Sequence, residues 1–473
     1  MALRVFDNLT RERKDFVSVE PGRVGMYVCG MTVQDRPHVG HMRASVVGDM
    51  LRRYLLRSGY RVVYVNNFTD VDDKIIERAR SEGMDYATIA ERNMQAYLHY
   101  VDKLGILPAD HYPRATQHIP EILDLIGQLV QKGYAYPAGG DVYFRVERCG
   151  DYGKLSGRRV DELRSGARIE IGEHKESPLD FALWKCARED EPSWPSAWGP
   201  GRPGWHIECS AMAMKYLGNH FDFHGGGLDL IFPHHENEIA QSECASGETY
   251  VNYWVQNGLV LLGGEKMSKS TKHFFLIEDV CTQVEPRIVR FYLLSTHFRS
   301  PIEFSHERLS EAAVGLGRLT GALDAAAEIL GPAPAVDAPV TPAEAGSEEG
   351  REAIRLFHEA MDDDFNSARA LGHLFDLARA INRWSADRES VEGRQALEGG
   401  RRVMLDLAGV LGLDLLTRQE ICLPSQIEDL IAQRGAARVR KDWAEADRLR
   451  QAIQDAGYVI EDRDGRTTVR PSR

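Results

Sequence analysis

Hydrophobic and polar residues follow a strand, helix, strand order near the start of the chain. Residues 24–30 (VGMYVCG) form an apolar run typical of a buried strand, and residues 39–59 carry apolar side chains at helical spacing. Residues 60–70 (YRVVYVNNFTD) form a second apolar run. Two strands joined by a crossover helix of about twenty residues are what a parallel nucleotide-binding sheet requires. The pattern therefore predicts a Rossmann-like α/β domain.

The same pattern returns after a long interruption. Residues 219–224 and 252–262 are predicted to be further strands, with a helical pattern between them over residues 233–245. The stretch of about residues 110–200 is richer in Pro, Trp and Gly, which indicates an insertion within the sheet. We therefore expect one Rossmann-like domain over residues 1–305.

The following region has helical periodicity and few strand signals. Residues 305–330 and 351–416 are predicted to form an all-α bundle over residues 306–416. Between them, residues 331–350 carry four prolines with small or acidic residues, which is typical of a loop that cannot pack a core. The bundle is thus expected to contain one long surface loop.

The last part of the chain differs in charge from the rest. Over residues 433–473, ten arginines and lysines face seven acidic residues, whereas the whole chain has a net charge of −13. Because the negative charge of the whole chain cannot attract a polyanion, any nucleic acid must contact a local basic surface. We therefore expect residues 420–473 to form a small α+β domain that contacts nucleic acid. A solvated charged helix would explain the same composition.

Composition and cysteine usage narrow the class of protein. The chain is 43% hydrophobic and 27% charged, as expected for a globular protein of about three domains. Its first residues contain no apolar segment with a cleavage site, and no later run reaches the ~18 apolar residues of a membrane span. Seven thinly spread cysteines argue against a disulfide framework. A cytoplasmic protein without membrane contact is expected.

One histidine motif lies where the first strand leads into its helix. In the stretch 37–41 (PHVGH), His38 and His41 can donate hydrogen bonds to phosphate oxygens beside the helix amino end. Gly40 would let the backbone approach a base or ribose closely. Alone, the motif is weak, because surface histidines that cap a helix would give the same pattern.

A second motif supports the first. The stretch 266–270 (KMSKS) follows two glycines and places Lys266 and Lys269 in a short polar segment, where both can approach the charge that develops on a leaving pyrophosphate. A solvated basic loop fits the composition but does not predict the partner motif. Together the two motifs are the signature pair of class I aminoacyl-tRNA synthetases.

A histidine-rich helix start suggests a metal site. His234 and Glu238 are four residues apart and share one helical face, whereas His235 is expected to point away. Cys29 and Cys209 could supply two thiolates to complete a zinc site. Each cysteine taken alone is more often a small core residue, and a His/Glu pair at this spacing is often a surface hydrogen bond.

The chain resembles the cysteinyl-tRNA synthetase family along nearly its whole length. The stretches that carry the resemblance are MYVCG (26–30), PHVGH (37–41), FTDVDDKI (68–75), SGARIEI (165–171), GRPGWHIECSAM (201–212), FHGGGLDLIFPHHENEIAQSE (223–243), KMSKS (266–270), MDDDFNSARAL (361–371) and KDWAEADRLR (441–450). The resemblance implies one zinc ion per chain, bound by Cys29, Cys209, His234 and Glu238. It further implies that Thr69 and Trp205 line the cysteine pocket. The resemblance also implies that ATP, accompanied by magnesium, binds at a site formed by His38, His41, Gly225, Gly226, Gly227 and Lys269.

The resemblance also implies a reaction and partners. ATP would activate L-cysteine to cysteinyl-adenylate, and a ribose hydroxyl of the terminal adenosine of tRNA(Cys) would then attack, so that no protein nucleophile is needed. Zinc would select the thiol over serine's hydroxyl, which makes an editing domain unnecessary. The tail would read the tRNA, and the protein is expected to be a monomer.

Three positions depart from the usual family pattern. Gln34 replaces a common tyrosine, TKH (271–273) follows KMSKS where LGN is usual, and Val469 replaces a typical tryptophan. Two other functions remain open at this level. A cysteine ligase of the mycothiol pathway would share the zinc site and adenylation but lack the tRNA-reading extension, and an inactive RNA-binding paralogue could lose catalytic residues that are all present here.

Overall fold

The protein is described here from a computed structural model. It describes residues 2–160, 174–266, 275–333, 335–336, 338–387, 389–417, 425–456, 458–463 and 466–471. The chain divides into two compact units, one from Met1 to Leu416 and the other from Thr417 to Arg473.

Fifteen strands are present in the described residues. They are β1 (Arg4–Asp7), β2 (Glu12–Asp15), β3 (Arg23–Thr32), β4 (Arg61–Thr69), β5 (Ala135–Ala138), β6 (Asp141–Phe144), β7 (Phe181–Cys186), β8 (Gly201–Pro203), β9 (Phe221–Gly227), β10 (Val251–Asn257), β11 (Val260–Leu262), β12 (Glu265–Lys266), β13 (Ile302–Glu303), β14 (Tyr458–Arg463) and β15 (Arg466–Pro471).

Fourteen α-helices accompany them in the same described ranges. They are α1 (Val39–Arg57), α2 (Asp73–Glu82), α3 (Tyr86–Lys103), α4 (Ile119–Gln131), α5 (Trp205–Leu217), α6 (Glu236–Ser246), α7 (Ile277–Gln283), α8 (Pro286–Leu294), α9 (His306–Leu330), α10 (Glu348–Asp362), α11 (Ser367–Ala386), α12 (Val391–Val410), α13 (Ser425–Val439) and α14 (Trp443–Asp455).

The central sheet of the first unit is parallel and has the strand order β10-β9-β3-β4. In the middle of the sheet, Val28 of β3 pairs with Asn66 of β4 and with Gly225 of β9. Helix α1 makes the crossover from β3 to β4 and is buried along most of its length. The predicted strand, helix, strand order at the start of the chain and the parallel α/β fold class are therefore confirmed.

The chain leaves this sheet after β4 and returns to it at β9. The intervening residues include helices α2 to α4 and an antiparallel sheet with the order β5-β6-β7-β8. This part has its own hydrophobic core, in which α4, Phe144, Leu183 and Trp184 meet. Helix α5 leads the chain back to the central sheet. This helix contacts α4 of the inserted part on the one hand and β3 and β4 of the central sheet on the other.

The single strand predicted over residues 252–262 is wrong. The segment contains two strands that belong to different sheets, since β10 ends the central sheet while β11 pairs with β12 and β13. At Gly258 the backbone passes too close to a neighbouring loop for a side chain, because a Cβ atom would lie 2.3 Å from the Ser300 carbonyl oxygen. The close approach bends the chain out of the first sheet.

Helices α9 to α12 form the predicted helical region. The loop before α10 ends at Ser347, whose hydroxyl accepts a hydrogen bond from the Gly350 amide, so that the helix begins slightly before the predicted boundary at residue 351. The bundle shares one continuous hydrophobic core with the sheet. The buried Arg290 guanidinium contacts Asp49 of α1 and donates to the Leu411 carbonyl beyond α12 at 2.8 Å. The separation of two domains at residues 305 and 306 stays a prediction.

In its described residues, the second unit has two helices and one hairpin. Helices α13 and α14 pack through Ala437, Ala446 and Leu449, and strands β14 and β15 pair in antiparallel register. Trp443, at the start of α14, is 59% exposed. No helix in the described part of the chain has the length and hydropathy to cross a membrane.

Candidate functional site

A cavity of about 380 Å³ opens at the carboxyl end of the central sheet, beside the first turn of α1. This is the edge at which ligands bind in open parallel sheets. The cavity brings together six residues predicted from sequence, namely Cys29, His38, Gly40, His41, Trp205 and Gly227. It is also lined by Gln34, one of the departures from the family pattern, and by Lys74, Asp229 and Asn257, which the sequence did not single out.

The two histidines of the first motif organise the start of α1. His38 is the N-cap residue, and its Nδ1 accepts a hydrogen bond from the His41 amide at 3.3 Å. In return, the His38 amide donates to Nδ1 of His41, and the two rings stack with their centroids 3.6 Å apart. A side chain at Gly40 would lie 3.0 Å from the His38 ring, so the glycine makes room for this stack. Both imidazoles thus lie at the positive end of a long helix.

Four metal-binding side chains meet beside the cavity. Cys29 lies near the end of β3 and Cys209 is on α5, while His234 and Glu238 flank the start of α6. Their ligand atoms all lie within 4.8 Å of one another, and all four residues are buried. The two Sγ atoms are 3.9 Å apart, far beyond a disulfide bond. His234 Nε2 lies 3.1 Å from Oε1 of Glu238.

The cluster extends further than the sequence predicted. His235 does not point away: its ligand nitrogen and that of His224 form a second set with Cys29 and Glu238, again within 4.8 Å. His224 Nε2 lies 2.9 Å from Oε2 of Glu238. The prediction that His235 points away assumed a helix with one solvent-facing side. The residues around the start of α6 are buried, so His234 and His235 both contact other parts of the protein.

Burial and charge set the protonation of this cluster. Burial would raise the pKa of Glu238, but His224 and His234 outweigh burial and hold it well below its usual range. Burial lowers the pKa of His234, yet Glu238 and Cys209 raise it to about 10. A hydrogen bond from Cys29 lowers the pKa of Cys209 to about 6, while burial raises that of Cys29. The Glu238 carboxylate and the Cys209 thiolate are thus favoured, whereas the His234 imidazole and the Cys29 thiol must release protons when a metal ion binds.

The donor set fits a metal ion. Two thiol sulfurs, one imidazole and one carboxylate form a buried pocket, and buried charged groups of this kind persist only when they are paired or coordinate a metal. His206, which the sequence analysis did not single out, places its Nδ1 3.0 Å from Nδ1 of His234. Its position in the stretch GWHIEC, three residues before Cys209, was the available signal.

The two residues predicted for the amino-acid pocket differ in their partners and in their access to the cavity. The ring of Trp205 lies 4.2 Å, centroid to centroid, from that of His234 and also faces the cavity. Thr69 is only 3% exposed, and its hydroxyl donates to Oε2 of Glu208 at 2.9 Å. Glu208 was missed by sequence reasoning, although it directly precedes Cys209. The structure therefore brings Trp205 to the cavity wall and Thr69 beneath it.

The three glycines of β9 differ in their surroundings. A side chain at Gly225 would meet the Val255 carbonyl oxygen at 3.1 Å, and one at Gly226 would meet Leu230 at 2.9 Å. Gly225 thus lies close to the neighbouring strand β10, and Gly226 lies close to a side chain of the turn that follows β9. Gly227 alone lines the cavity, where an added Cβ would lie 2.4 Å from a carboxylate oxygen of Asp229.

Part of the predicted site lies outside the described residues. These positions include Lys269 with the rest of KMSKS after Lys266, the TKH segment and the SGARIEI stretch. Lys266 belongs to β12, which pairs with β11. The preceding Gly264 amide donates to the Glu303 carboxylate, with both oxygens at 3.3 Å. Of the two other departures, Gln34 lines the cavity, and Val469 is in β15 opposite Ile460.

Known families match the chain in three consecutive parts. The family described as "tRNA synthetases class I (C) catalytic domain" matches residues 15–314. A DALR domain matches residues 356–416, and the "Cysteinyl-tRNA ligase anticodon binding domain" matches residues 422–470.

Relatives match over almost their full length. A cysteine–tRNA ligase of Geobacter sulfurreducens is 50% identical over 479 residues, and one of Syntrophotalea carbinolica is 48% identical over 478 residues. In both cases the match covers 98% of each chain. Among solved structures, a Mycobacterium tuberculosis methionyl-tRNA synthetase in complex with methionyl-adenylate superposes with a TM-score of 0.63 at 17% identity, over 83% of this chain and 91% of the other. That structural likeness supports the fold.

Proposed function

Because the chain belongs to the cysteine–tRNA ligases, class I synthetases that join cysteine to tRNA, we propose that its buried cluster holds the zinc ion that selects the substrate. The proposed ligands are Cys29, Cys209, His234 and Glu238. The observation that carries the proposal is their convergence within 4.8 Å, with Cys29 also lining the cavity.

The donors favour zinc over harder ions. Thiolate ligands suit a borderline-soft ion, whereas magnesium and calcium prefer sites built from oxygen. A zinc ion bound here would offer the substrate thiolate a bond that serine's hydroxyl, harder and far less acidic, cannot match. A site that forms a specific bond to one group rejects analogues without it by roughly 10⁴-fold or more, so selection can occur at binding.

The remaining wall of the cavity would hold the other parts of the substrates. Trp205 packs against His234 and would contact the cysteine side chain, with Thr69 supporting the pocket through Glu208. The open surface at Gly227 would accept the flat adenosine of ATP, since no side chain projects from it. Gly225 and Gly226 do not line the cavity. They would support the ATP site indirectly, because they let β9 lie close to its neighbours.

The start of α1 and the KMSKS segment would contact the phosphate groups of ATP. His38 and His41, stacked at the positive end of the helix, would donate to the α-phosphate while the cysteine carboxylate attacks it. Lys266 and Lys269 would stabilise the charge on the departing pyrophosphate, together with the magnesium ion that accompanies ATP. The fixed geometry lowers the entropy cost of bringing the two substrates together.

Transfer to tRNA would use the rest of the chain. The carbonyl of cysteinyl-adenylate would be attacked by a ribose hydroxyl of the terminal adenosine, and AMP would leave without a protein nucleophile. The second unit, which matches the anticodon-binding family and carries the exposed Trp443, would bind the anticodon end of tRNA(Cys). Binding through exposed cations and a stacking aromatic ring suits single-stranded nucleotides.

A charging assay tests the proposal. Purified protein with one zinc per chain, ATP and labelled cysteine should place label in acid-precipitable tRNA(Cys) and should reject serine. Chelation of zinc should abolish cysteine-dependent pyrophosphate exchange, and zinc should restore it. Unchanged exchange in metal-free protein would contradict the zinc assignment, while the mass of the zinc-loaded protein in solution would test whether it is a monomer.

A further inference from the structure

A loop of the inserted part is fastened onto helix α6. The carboxylate of Glu236 accepts hydrogen bonds from the backbone amides of Gly153 at 3.0 Å and Ser156 at 2.7 Å. Tyr152 donates its hydroxyl proton to Oδ1 of Asn237 at 2.6 Å. Residues 149–156, which we term the clasp loop, therefore lie along the amino-terminal half of α6.

The other end of the clasp loop reaches the carboxyl-terminal half of the same helix. Lys154 bridges Oδ2 of Asp151, at 2.6 Å, and the carboxylate of Glu243 on α6. Next to this bridge, Cys149 of the loop and Cys244 of the helix belong to one hydrophobic cluster. The loop and the helix thus bring both cysteines to the same part of the hydrophobic core, where the loop meets the helix.

The two thiols differ in exposure and acidity. Cys149 is 7% exposed, and its Sγ lies 3.6 Å from Oδ1 of Asp151, whereas Cys244 is half-buried and can be reached from solvent. A hydrogen bond between the two sulfurs raises the pKa of Cys149 and lowers that of Cys244, which Lys154 also favours. Cys244 is therefore the more nucleophilic of the pair at neutral pH.

We propose that Cys149 and Cys244 form an oxidative modification site, in which a low-molecular-weight disulfide converts the two thiols to a disulfide that locks the clasp loop to α6. Neither cysteine belongs to the metal cluster, and neither lines the cavity. Both are free thiols in the structure, each on an element already held in place by hydrogen bonds.

The chemistry balances as two exchange steps. The Cys244 thiolate attacks one sulfur of the small disulfide, forms a mixed disulfide and releases one small thiolate. Cys149 then loses its proton, attacks the Cys244 sulfur and displaces the second small thiolate. Two protein thiols are oxidised, one small disulfide is reduced to two thiols, and the two protons pass to the released thiolates.

The experiment uses full-length, zinc-loaded protein in glutathione buffers with a rising proportion of glutathione disulfide. After denaturation and alkylation, peptide mapping without reductant should find Cys149 joined to Cys244, whereas the exposed Cys186 should carry only a glutathione adduct. Zinc content should stay unchanged. Cys149→Ser should stop at a single glutathione adduct on Cys244, and Cys281→Ser should behave as the parent protein.

Two results would overturn the proposal. In the first, Cys149 and Cys244 both remain alkylatable in buffers that fully modify the exposed Cys186. In the second, the cross-link joins Cys29 and Cys209 and zinc is lost. Thermal unfolding of each variant checks that the fold is retained, and no readout depends on aminoacylation, so failure here leaves the enzyme assignment untouched.

Discussion

The hydroxyl of Thr69 donates a 2.9 Å hydrogen bond to the carboxylate of Glu208 in a fully buried contact between the end of β4 and the first turn of α5. Cys209 follows Glu208 directly, so this contact helps to set where the thiol stands relative to the sheet. Two positions 139 residues apart in sequence are thus joined under the floor of the cavity.

Removal of the Thr69 hydroxyl should weaken cysteine binding. Burial raises the pKa of Glu208 well above its usual range, so Thr69→Val leaves a buried, neutral carboxyl group without its donor. An unsatisfied buried polar group beside Cys209 should raise the KM for cysteine by about tenfold. The KM for ATP should change little. Thr69→Ser keeps the donor and serves as the control, and pyrophosphate exchange measures both constants. Equal changes in the two variants would rule out the hydrogen bond as the cause.

Loss of a proposed metal ligand should affect cysteine far more than ATP. Cys209→Ser should abolish tight zinc binding and raise the KM for cysteine by about 100-fold or more, because the thiol-selective bond is lost. Metal analysis and pyrophosphate exchange measure the two effects. Cys281→Ser, outside the cluster, should retain zinc and normal kinetics. A proportional loss for cysteine and ATP would contradict the pocket assignment.

The two roles of His38 can be separated. Asparagine is a good N-cap residue, so His38→Asn should keep the stability of α1 while lowering the rate of adenylation by about 100-fold. His38→Ala should lose a similar amount of activity and in addition about 1 kcal/mol of stability. Thermal unfolding and pre-steady-state adenylation distinguish the effects. Full activity in His38→Asn would show that the imidazole serves only as a cap.

Stability should fall as the pH drops below the ordinary pKa of histidine. Burial, and then the nearby Arg57, lower the pKa of His358 in the folded protein. Between about pH 6.5 and that lower pKa, the unfolded chain binds a proton that the native chain does not, which favours unfolding. His358→Gln should reduce the pH dependence of the urea midpoint over this range by up to one proton. An unchanged pH dependence would exclude His358 as a contributor.

Truncation after Leu416 should separate the two partial reactions. The first unit contains the whole cavity and the metal cluster, so cysteine-dependent pyrophosphate exchange should stay within about twofold of the full chain. Charging of tRNA should fall by about 100-fold or more, because the basic second unit is missing. If adenylation collapses while the truncated protein remains folded, the second unit supports the catalytic part instead of binding tRNA.

Local patterns predicted much of the architecture correctly. Apolar runs of strand length flank the helical pattern of α1, and that order alone predicts a parallel pair, because a crossover helix leaves no other simple arrangement. Helical spacing likewise predicted that His234 and Glu238 share a face, and their side chains lie 3.1 Å apart. Spacing failed for residues 252–262, where contact with the Ser300 backbone, distant in sequence, ends one strand and starts another.

What the sequence by itself determined is therefore the first strand, helix, strand unit, the helical region, the chemistry of the motifs and the family to which the chain belongs. These follow from short-range periodicity and from motifs in which each residue type has a specific chemical use. Only the tertiary structure decided that His224, His235 and Glu208 belong to the site, and that Cys149 meets Cys244. Such partners come from separate elements, and their meeting depends on how the insertion and α6 pack, which no local spacing encodes.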